Sequence, residues 1–277
     1  MKRIARRGTA VLLLVAALLA LWAFWWEPRR LVVRRASLAL PCWRGEPVTF
    51  AIVSDLHVGS PGIDVAKVDR VVDAIQSAHA DVVLLLGDFV IQDVIGGHPV
   101  SRELIAQHLG RLHAPRGVFA VLGNHDWWLD APRVRRALES AGIRVMDDAA
   151  VHVTRGSGSF WLAGVSDLWE GPHDIPLALS GVTSDEPLIV MTHNPDIFPL
   201  IPPRVCLTLA GHTHGGQVAA PLIGRPIVSS RFGERYAIGH IHEHGKHLFV
   251  TSGVGTSIIP VRFRVPPEVV ILRVGGG

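Results

Sequence analysis

Two cysteines and a single tyrosine in 277 residues set the first limits. Two thiols cannot build a disulfide framework, so the fold has to rest on a packed core. Charged residues make up only 18% of the chain against 48% hydrophobic ones, which excludes intrinsic disorder. No internal repeat and no low-complexity stretch is present, and the length is that of one domain or at most two. A broad electropositive surface is also missing. Residues 1–35 hold eight Lys/Arg against Glu27, a net +7, which leaves 19 basic and 23 acidic residues in the remainder, a net −4. Nucleic acid is therefore not expected as a partner.

One long apolar run is present. Residues 9–26 carry no charge and end in Trp22, Trp25 and Trp26. At about 1.5 Å per residue an 18-residue helix reaches roughly 27 Å, close to the thickness of a bilayer core, and tryptophans at one end suit a membrane interface. The alternatives are a buried helix or a cleaved signal peptide, although the run ends in large aromatics and Glu27-Pro28 rather than in small residues. The expected organisation is a basic flank over 1–8, a transmembrane anchor over 9–26, a juxtamembrane linker over 27–46 and one domain over 47–277. Four Lys/Arg precede the span and four follow it, so charge leaves the side of the domain open. Arg6-Arg7 is a weak match to a twin-arginine export signal.

From Pro47 onward apolar strands alternate with helical patterns. Strands are expected over 49–53, 82–86 and 117–122, with helices over 63–78, 101–112 and 132–140. Strands this apolar, joined by helices, indicate a parallel sheet with covered faces. After residue 140 short strands and turns dominate, at 143–146, 150–154, 160–165, 188–192, 205–209, 247–251 and 269–272. They predict a second, more antiparallel sheet packed on the first, in a four-layer α/β/β/α sandwich.

Five strand ends carry chemistry: Asp55-Leu56-His57, Gly87-Asp88, Gly123-Asn124-His125-Asp126, Thr192-His193-Asn194 and Gly211-His212-Thr213-His214. Ligands of open α/β sheets gather outside the carboxyl ends of strands, so these motifs should converge. The i, i+2 pairs Asp55/His57 and His212/His214 would face one way on extended chain, and glycines at 87, 123 and 211 permit close backbone approach. Carboxylate, amide and imidazole donors without thiolate suit Mn, Fe, Co or Zn. There are more donors than one ion needs, which points to a two-metal centre for phosphate-ester hydrolysis.

The ordered set Asp55-x-His57, Gly87-Asp88, Gly123-Asn124-His125-Asp126, His193 and Gly211-His212-x-His214 resembles the calcineurin-like metallophosphoesterase superfamily from about residue 47 to the C-terminus. The extension Gly215-Gly216-Gln217, with the N-terminal apolar segment, is similar to the bacterial membrane-anchored YaeI/YkuE-type phosphodiesterase branch. The resemblance implies that Asp55, His57 and His214 hold one metal ion, that Asn124, His193 and His212 hold another, and that Asp88 bridges them. His125 would be the catalytic histidine and Asp126 its orienting acid. It implies two divalent ions, manganese first, with Fe, Zn, Co, Ni or Mg also admissible. The activity implied is hydrolysis of a phosphodiester or pyrophosphate bond in a small or lipid-linked substrate, by analogy one such as UDP-2,3-diacylglucosamine, at a bacterial cytoplasmic membrane. A phosphomonoesterase or protein phosphatase, and a non-catalytic metal-binding scaffold, are the competing readings.

Other chemically suggestive residues are expected to be structural. His240, His242 and His244 fit a solvent-facing hairpin, and Asp93, Asp147, Asp148, Asp167 and Asp185-Glu186 fit turns. Trp127, Trp128 and Trp169 are candidates for the rim of the site, and Asn194 for support of His193. Cys206, in an apolar strand, is expected as a buried free thiol, pairing with Cys42 only in an oxidising compartment.

Overall fold

The structure is a computed structural model that describes residues 2–155 and 158–277, without the side chains of residues 2–5 and 155. Met1 and the side chains of Lys2 and Arg3 in the 1–8 flank therefore lie outside the described residues. Helix α1 (Lys2–Leu21) continues through a π-helical turn (Trp22–Trp26) into the short α2 (Glu27–Arg29). The stretch from Arg6 to Arg29 is long and apolar enough to cross a membrane by length and composition, with a mean hydropathy of 2.2. It is no core helix: Val11, Leu12, Leu13, Leu14, Leu18 and Leu19 are all exposed. Only its end enters the domain, where Ala23, Glu27 and Pro28 are buried.

The first sheet has the order β1 (Val32–Ala39), β12 (Glu268–Gly275), β2 (Val48–Val53), β3 (Val82–Leu85), β4 (Val118–Ala120), β5 (Arg144–Val145). From β2 to β5 all pairs are parallel, and β12 runs antiparallel to β2. The crossovers carry α3 (Val65–Ser77), α4 (Arg102–Leu109) and α5 (Asn124–Ser140). Helix α3 buries Val68, Val71, Val72 and Ile75 at helical spacing on the outer face of the sheet, and its N-cap Asp64 accepts a hydrogen bond from the Lys67 amide at 2.8 Å. Helix α5 begins eight residues before the expected Pro132. Gly123 caps it, and only an irregular residue at Asp130 marks the old boundary. Asn124, His125 and Asp126 thus occupy a first helical turn.

The second sheet has the order β10 (Gly239–Glu243), β11 (Lys246–Val250), β9 (Leu207–Ala210), β8 (Leu188–Met191), β7 (Gly158–Gly164), β6 (Ala149–Arg155). Among the described residues this sheet is mixed and, as expected, more antiparallel than the first, with two antiparallel pairs of five against one of five. The central pairs β11·β9, β9·β8 and β8·β7 are parallel, and only the edge pairs β10·β11 and β6·β7 are antiparallel. Strands β8 and β9 are wholly buried, as strands covered on both faces are. Phe50, Ile52, Leu84, Phe160, Leu162 and Leu207 fill the space between the sheets. Trp161, Leu188 and Val190 face the outer layer, which includes α6 (Ile175–Leu179). The architecture is the four-layer α/β/β/α sandwich.

The linker expected over 27–46 is largely part of the domain. Residues 32–39 form edge strand β1, in parallel register with β12 from Val32↔Glu268 to Ala39↔Gly275. Trp43 is buried, with its ring 5.7 Å from that of Phe160 and 6.3 Å from that of Phe50. Cys42 is bonded to Cys206, 164 residues away, so the expected free thiol is a disulfide. The reason is tertiary: the turn after β1 lies against the start of β9, with the two Cα atoms 5.6 Å apart. The histidine-rich segment is the expected hairpin. His244 and Gly245 form its two-residue turn at positive φ, and His242 stacks on His247 with ring centroids 4.3 Å apart.

Candidate metal centre

Strands β2, β3 and β4 of one sheet and β8 and β9 of the other release their chains at a common edge. Asp55, His57, Asp88, Asn124, His125, Asp126, His193, His212 and His214 meet there, and all nine are buried. The i, i+2 pairs converge, but not through strand alternation. Asp55, His57, Asp88, His212 and His214 all have left-handed backbone, with φ between 43° and 69°. Each such non-glycine residue costs on the order of 1 kcal/mol, a cost concentrated where the side chains must point inward from tight turns. Gly87 has φ of +90°, and a Cβ there would stand 2.5 Å from the Gly123 amide nitrogen and 2.9 Å from His193 Nδ1. The loops can therefore approach only because this residue is glycine.

The donor atoms form two lobes that share one carboxylate. In the first, His57 Nε2 lies 3.2 Å from His214 Nε2, and His214 Nε2 lies 3.4 Å from Asp55 Oδ1. In the second, His193 Nε2 lies 3.2 Å from His212 Nδ1. Asp88 Oδ2 stands between them, 3.4 Å from His57 Nε2 and 3.2 Å from His193 Nε2. The triads Asp55/His57/His214 and Asp88/His193/His212 each have the compactness of a cation site, and His125 joins His57 and Asp88 in a third such group. Among the described residues, the Oδ1 of buried Asn124 has no hydrogen-bond partner, and neither has Nδ1 of His57, His125 or His214. An orphaned amide oxygen beside convergent imidazole nitrogens fits a divalent ion, since such a buried acceptor is costly unless something occupies it.

The charge distribution prepares part of this donor set. Burial works against the Asp88 carboxylate, but the imidazoles of His193, His125 and His57 outweigh it and hold its pKa well below the usual range. His193 moves oppositely: against the effect of burial, Asp88 and Asp55 raise it well above an ordinary imidazole. Burial pushes His57 and His214 down to about 3 and His212 well below its normal value. Three neutral imidazoles and the ionised Asp88 are in the protonation states that cation binding requires, whereas His193, and Asp55, whose pKa burial raises, would give up protons to a bound ion.

The surrounding residues hold this arrangement. The amide of His212 donates to Asp55 Oδ2 at 3.0 Å, joining the two sheets' loops, and His193 Nδ1 is 2.6 Å from the carbonyl of Leu86. Asp126 is not hydrogen-bonded to the His125 ring, a correction to the expected role. Its carboxylate accepts from the backbone amides of Asp88 (2.8 Å), Phe89 (2.9 Å) and Gly123 (2.9 Å). It lies under the turn after β3 because those amides need an acceptor there, so it positions Asp88. Asn194 likewise caps a 3₁₀ turn by accepting from the Asp196 amide. Trp127 packs into the core under α5, whereas Trp128 is exposed with its ring 4.9 Å from that of His125. Trp169 stands edge-on to His212 at 4.4 Å. Asp167, expected as a turn residue, does hold the turn: its Oδ2 accepts from the amides of Trp169 and Glu170. Ser229 was not legible in the sequence; its hydroxyl is 3.1 Å from His212 Nε2, and no motif marks it.

Above the donors lies a cavity of about 620 Å³. Asp88, Asn124, His125 and His212 form its floor, with Trp128 and Trp169 on its wall.

Comparison with known proteins gives a consistent result. The family model described as calcineurin-like phosphoesterase matches residues 48–244. An uncharacterized metallophosphoesterase of Aquifex aeolicus is 30% identical over 84% of this chain and 87% of its own. Phosphodiesterase YaeI of Escherichia coli is 30% identical over 89% of both chains. A Danio rerio transmembrane protein with a metallophosphoesterase domain is 29% identical over 79% of this chain, which spans 51% of that protein.

Proposed function

Because the chain belongs to the calcineurin-like phosphoesterase family and is a metal-dependent phosphoric-ester hydrolase, we propose that it is a membrane-anchored two-metal phosphodiesterase acting on a phosphodiester or pyrophosphate bond, including one in a lipid-linked substrate. The observation that carries this is the pair of donor triads about one shared carboxylate. Asp55, His57 and His214 would hold one ion and Asn124, His193 and His212 the other, with Asp88 between the two groups and manganese the first candidate metal. When bound, such ions supply Lewis acidity to a phosphate oxygen and lower the pKa of a coordinated water. His125 lies at the cavity floor, where its imidazole can donate a proton to the departing oxygen. Its amide donates to Asp88 Oδ1 at 2.9 Å, so the proton donor and the shared carboxylate are held in register. Trp128 packs on the His125 ring and limits water on one side of it.

The apolar helix is read as an uncleaved anchor. Its end is part of the domain: the Arg262 amide donates to the Ala23 carbonyl at 2.9 Å, and Lys67 Nζ donates to the carbonyls of Arg29 (3.0 Å) and Arg30. A Cys42–Cys206 bond persists only under oxidising conditions. The bond supports a reading in which the domain faces an oxidising compartment on the outer side of a bacterial cytoplasmic membrane, with the basic flank inside.

The test uses the full chain in detergent, stripped of metal and assayed on bis-p-nitrophenyl phosphate and p-nitrophenyl phosphate with Mn, Mg, Zn, Co or Ni restored. Metal-dependent diester cleavage lost in both Asp88→Asn and His125→Ala supports the mechanism. Monoester turnover exceeding diester turnover with every metal would overturn the phosphodiesterase reading. Tight metal binding without any turnover would favour a scaffold.

A further inference from the structure

Large aliphatic side chains crowd the mouth of the cavity on its solvent side. One loop, residues 217–228, exposes Leu222 completely, Ile223 at 72% and Ile227 at 78%; a second, residues 257–263, exposes Ile258 at 67% and Ile259 at 45%; Ile95 beside them is 64% exposed. The loops form one unit. The Phe263 amide donates to the Gln217 carbonyl, the Ala219 amide to the Phe263 carbonyl, the Ser257 amide to Gln217 Oε1, and the Ile95 amide to the Ile258 carbonyl, all at 2.8–2.9 Å. Leu222 and Ile258 sit at φ of 66° and 60°, a region bulky side chains avoid. Strain of that kind, held by a surrounding network, commonly marks a working surface.

The position of this patch gives it an occupant. Arg262, whose amide bonds Ala23 at the end of the apolar helix, belongs to the second loop, and its buried guanidinium holds the carbonyls of Ser252, Gly255 and Val265. The helix thus leaves the domain directly beside the patch. Trp22, Trp25 and Trp26 are exposed at that exit, with the Arg29 guanidinium 5.3 Å from the Trp25 ring, as at a membrane interface. A contiguous aliphatic surface next to such a helix would be an aggregation hazard in water and is stable in lipid.

We infer that the two loops are a second, monotopic membrane contact that seats the mouth of the metal centre in the headgroup layer of the bilayer. The substrate then enters from the membrane plane: its phosphodiester reaches the donors while its apolar part lies along Ile227, Ile258, Ile259 and Val261. This rests on the anchored-phosphodiesterase reading above and adds where the substrate resides.

The experiment has two arms, both on the full chain in phosphatidylcholine/phosphatidylglycerol vesicles. In the first, Ile223→Cys, Ile259→Cys and, on the exposed end of α5, Ser140→Cys are each nitroxide-labelled; the native cysteines are in their disulfide and do not react. Collision with oxygen should exceed collision with a soluble nickel chelate at 223 and 259, and the reverse should hold at 140. Equal nickel access at all three sites would overturn the contact, whether or not the protein hydrolyses anything. In the second arm, the Ile95→Asp/Leu222→Asp/Ile223→Asp variant, changed outside the cavity lining, should lose at least tenfold in turnover of hexadecyl p-nitrophenyl phosphate in vesicles. Its turnover of bis-p-nitrophenyl phosphate should stay within twofold. Equal retention of both activities would overturn entry from the membrane, while loss of soluble diester cleavage by the parent chain would sink the phosphodiesterase reading alone.

Discussion

Gly123→Ala tests whether the shared carboxylate is set by backbone packing. Gly123 has ordinary extended backbone (φ −98°, ψ 176°), so alanine adopts it without strain. Its added Cβ would stand 2.3 Å from Asp88 Oδ1 and 2.7 Å from the Asp88 amide nitrogen. Ordinary contact begins at about 3.5 Å, so the carboxylate must retreat by roughly 1 Å. That retreat breaks the 2.9 Å bond from the His125 amide and pulls Oδ2 away from its position between His57 and His193. A hydrogen bond to a charged group is worth about 1.5–3 kcal/mol, so metal affinity should fall on the order of 10- to 100-fold. Calorimetric titration of the metal-stripped protein with manganese, beside kcat/KM on bis-p-nitrophenyl phosphate, reads this effect. Gly181→Ala is the control, since a Cβ there meets nothing within 4 Å. If Gly123→Ala binds metal as tightly as the parent while Asp88→Asn does not, the packing of Asp88 against this turn is refuted as the cause of its position.

Asp126→Asn turns a donor NH2 onto some of the backbone amides that the two carboxylate oxygens accept from and should weaken metal binding, and Asp126→Ala strands all of those amides and should lose about 1–3 kcal/mol of stability, the cost of an unsatisfied buried group, in urea titration. Ser229→Ala removes the partner of His212 Nε2 and should weaken metal binding about tenfold or more with no shift in unfolding midpoint of the metal-free chain. Replacing both Cys42 and Cys206 by serine releases a loop closed over 164 residues, an expected loss of about 5 kcal/mol in chain-entropy terms, read by urea titration with and without reductant. For the metal-free chain, His57 and His214 have folded pKa values of about 3, against roughly 6.5 unfolded. Between these values the unfolded state binds more protons, so stability falls as pH falls through that window, by up to ~1.4 kcal/mol per pH unit for each group. A flat stability profile from pH 6.5 to 4 would show that these rings are not buried neutral.

The alternation of apolar strands and helices, and five strand-end motifs in order, were readable because they are local: a buried parallel strand is apolar throughout, and its catalytic residues follow within a few positions. The convergence of Asp55, His57, Asp88, Asn124, His193, His212 and His214 on one buried edge was legible for that reason. What remained hidden depends on contacts across long stretches of chain. Strand β1 carries Arg34 and Arg35 and is exposed at alternate positions, so it reads as a polar linker; only its pairing with β12, more than 200 residues on, makes it a strand. Asp126 could be placed beside His125 by spacing, but its acceptor role depends on where the turn after β3 lies. The Cys42–Cys206 bond and the aliphatic rim near Ala23 have the same origin. Sequence determined which groups could bind a cation and which helix could meet a membrane. Tertiary structure decided which backbone supports those groups, and that the helix exit and the mouth of the site share one side of the molecule, because hydrogen bonds and packing between distant segments are not written in any local pattern.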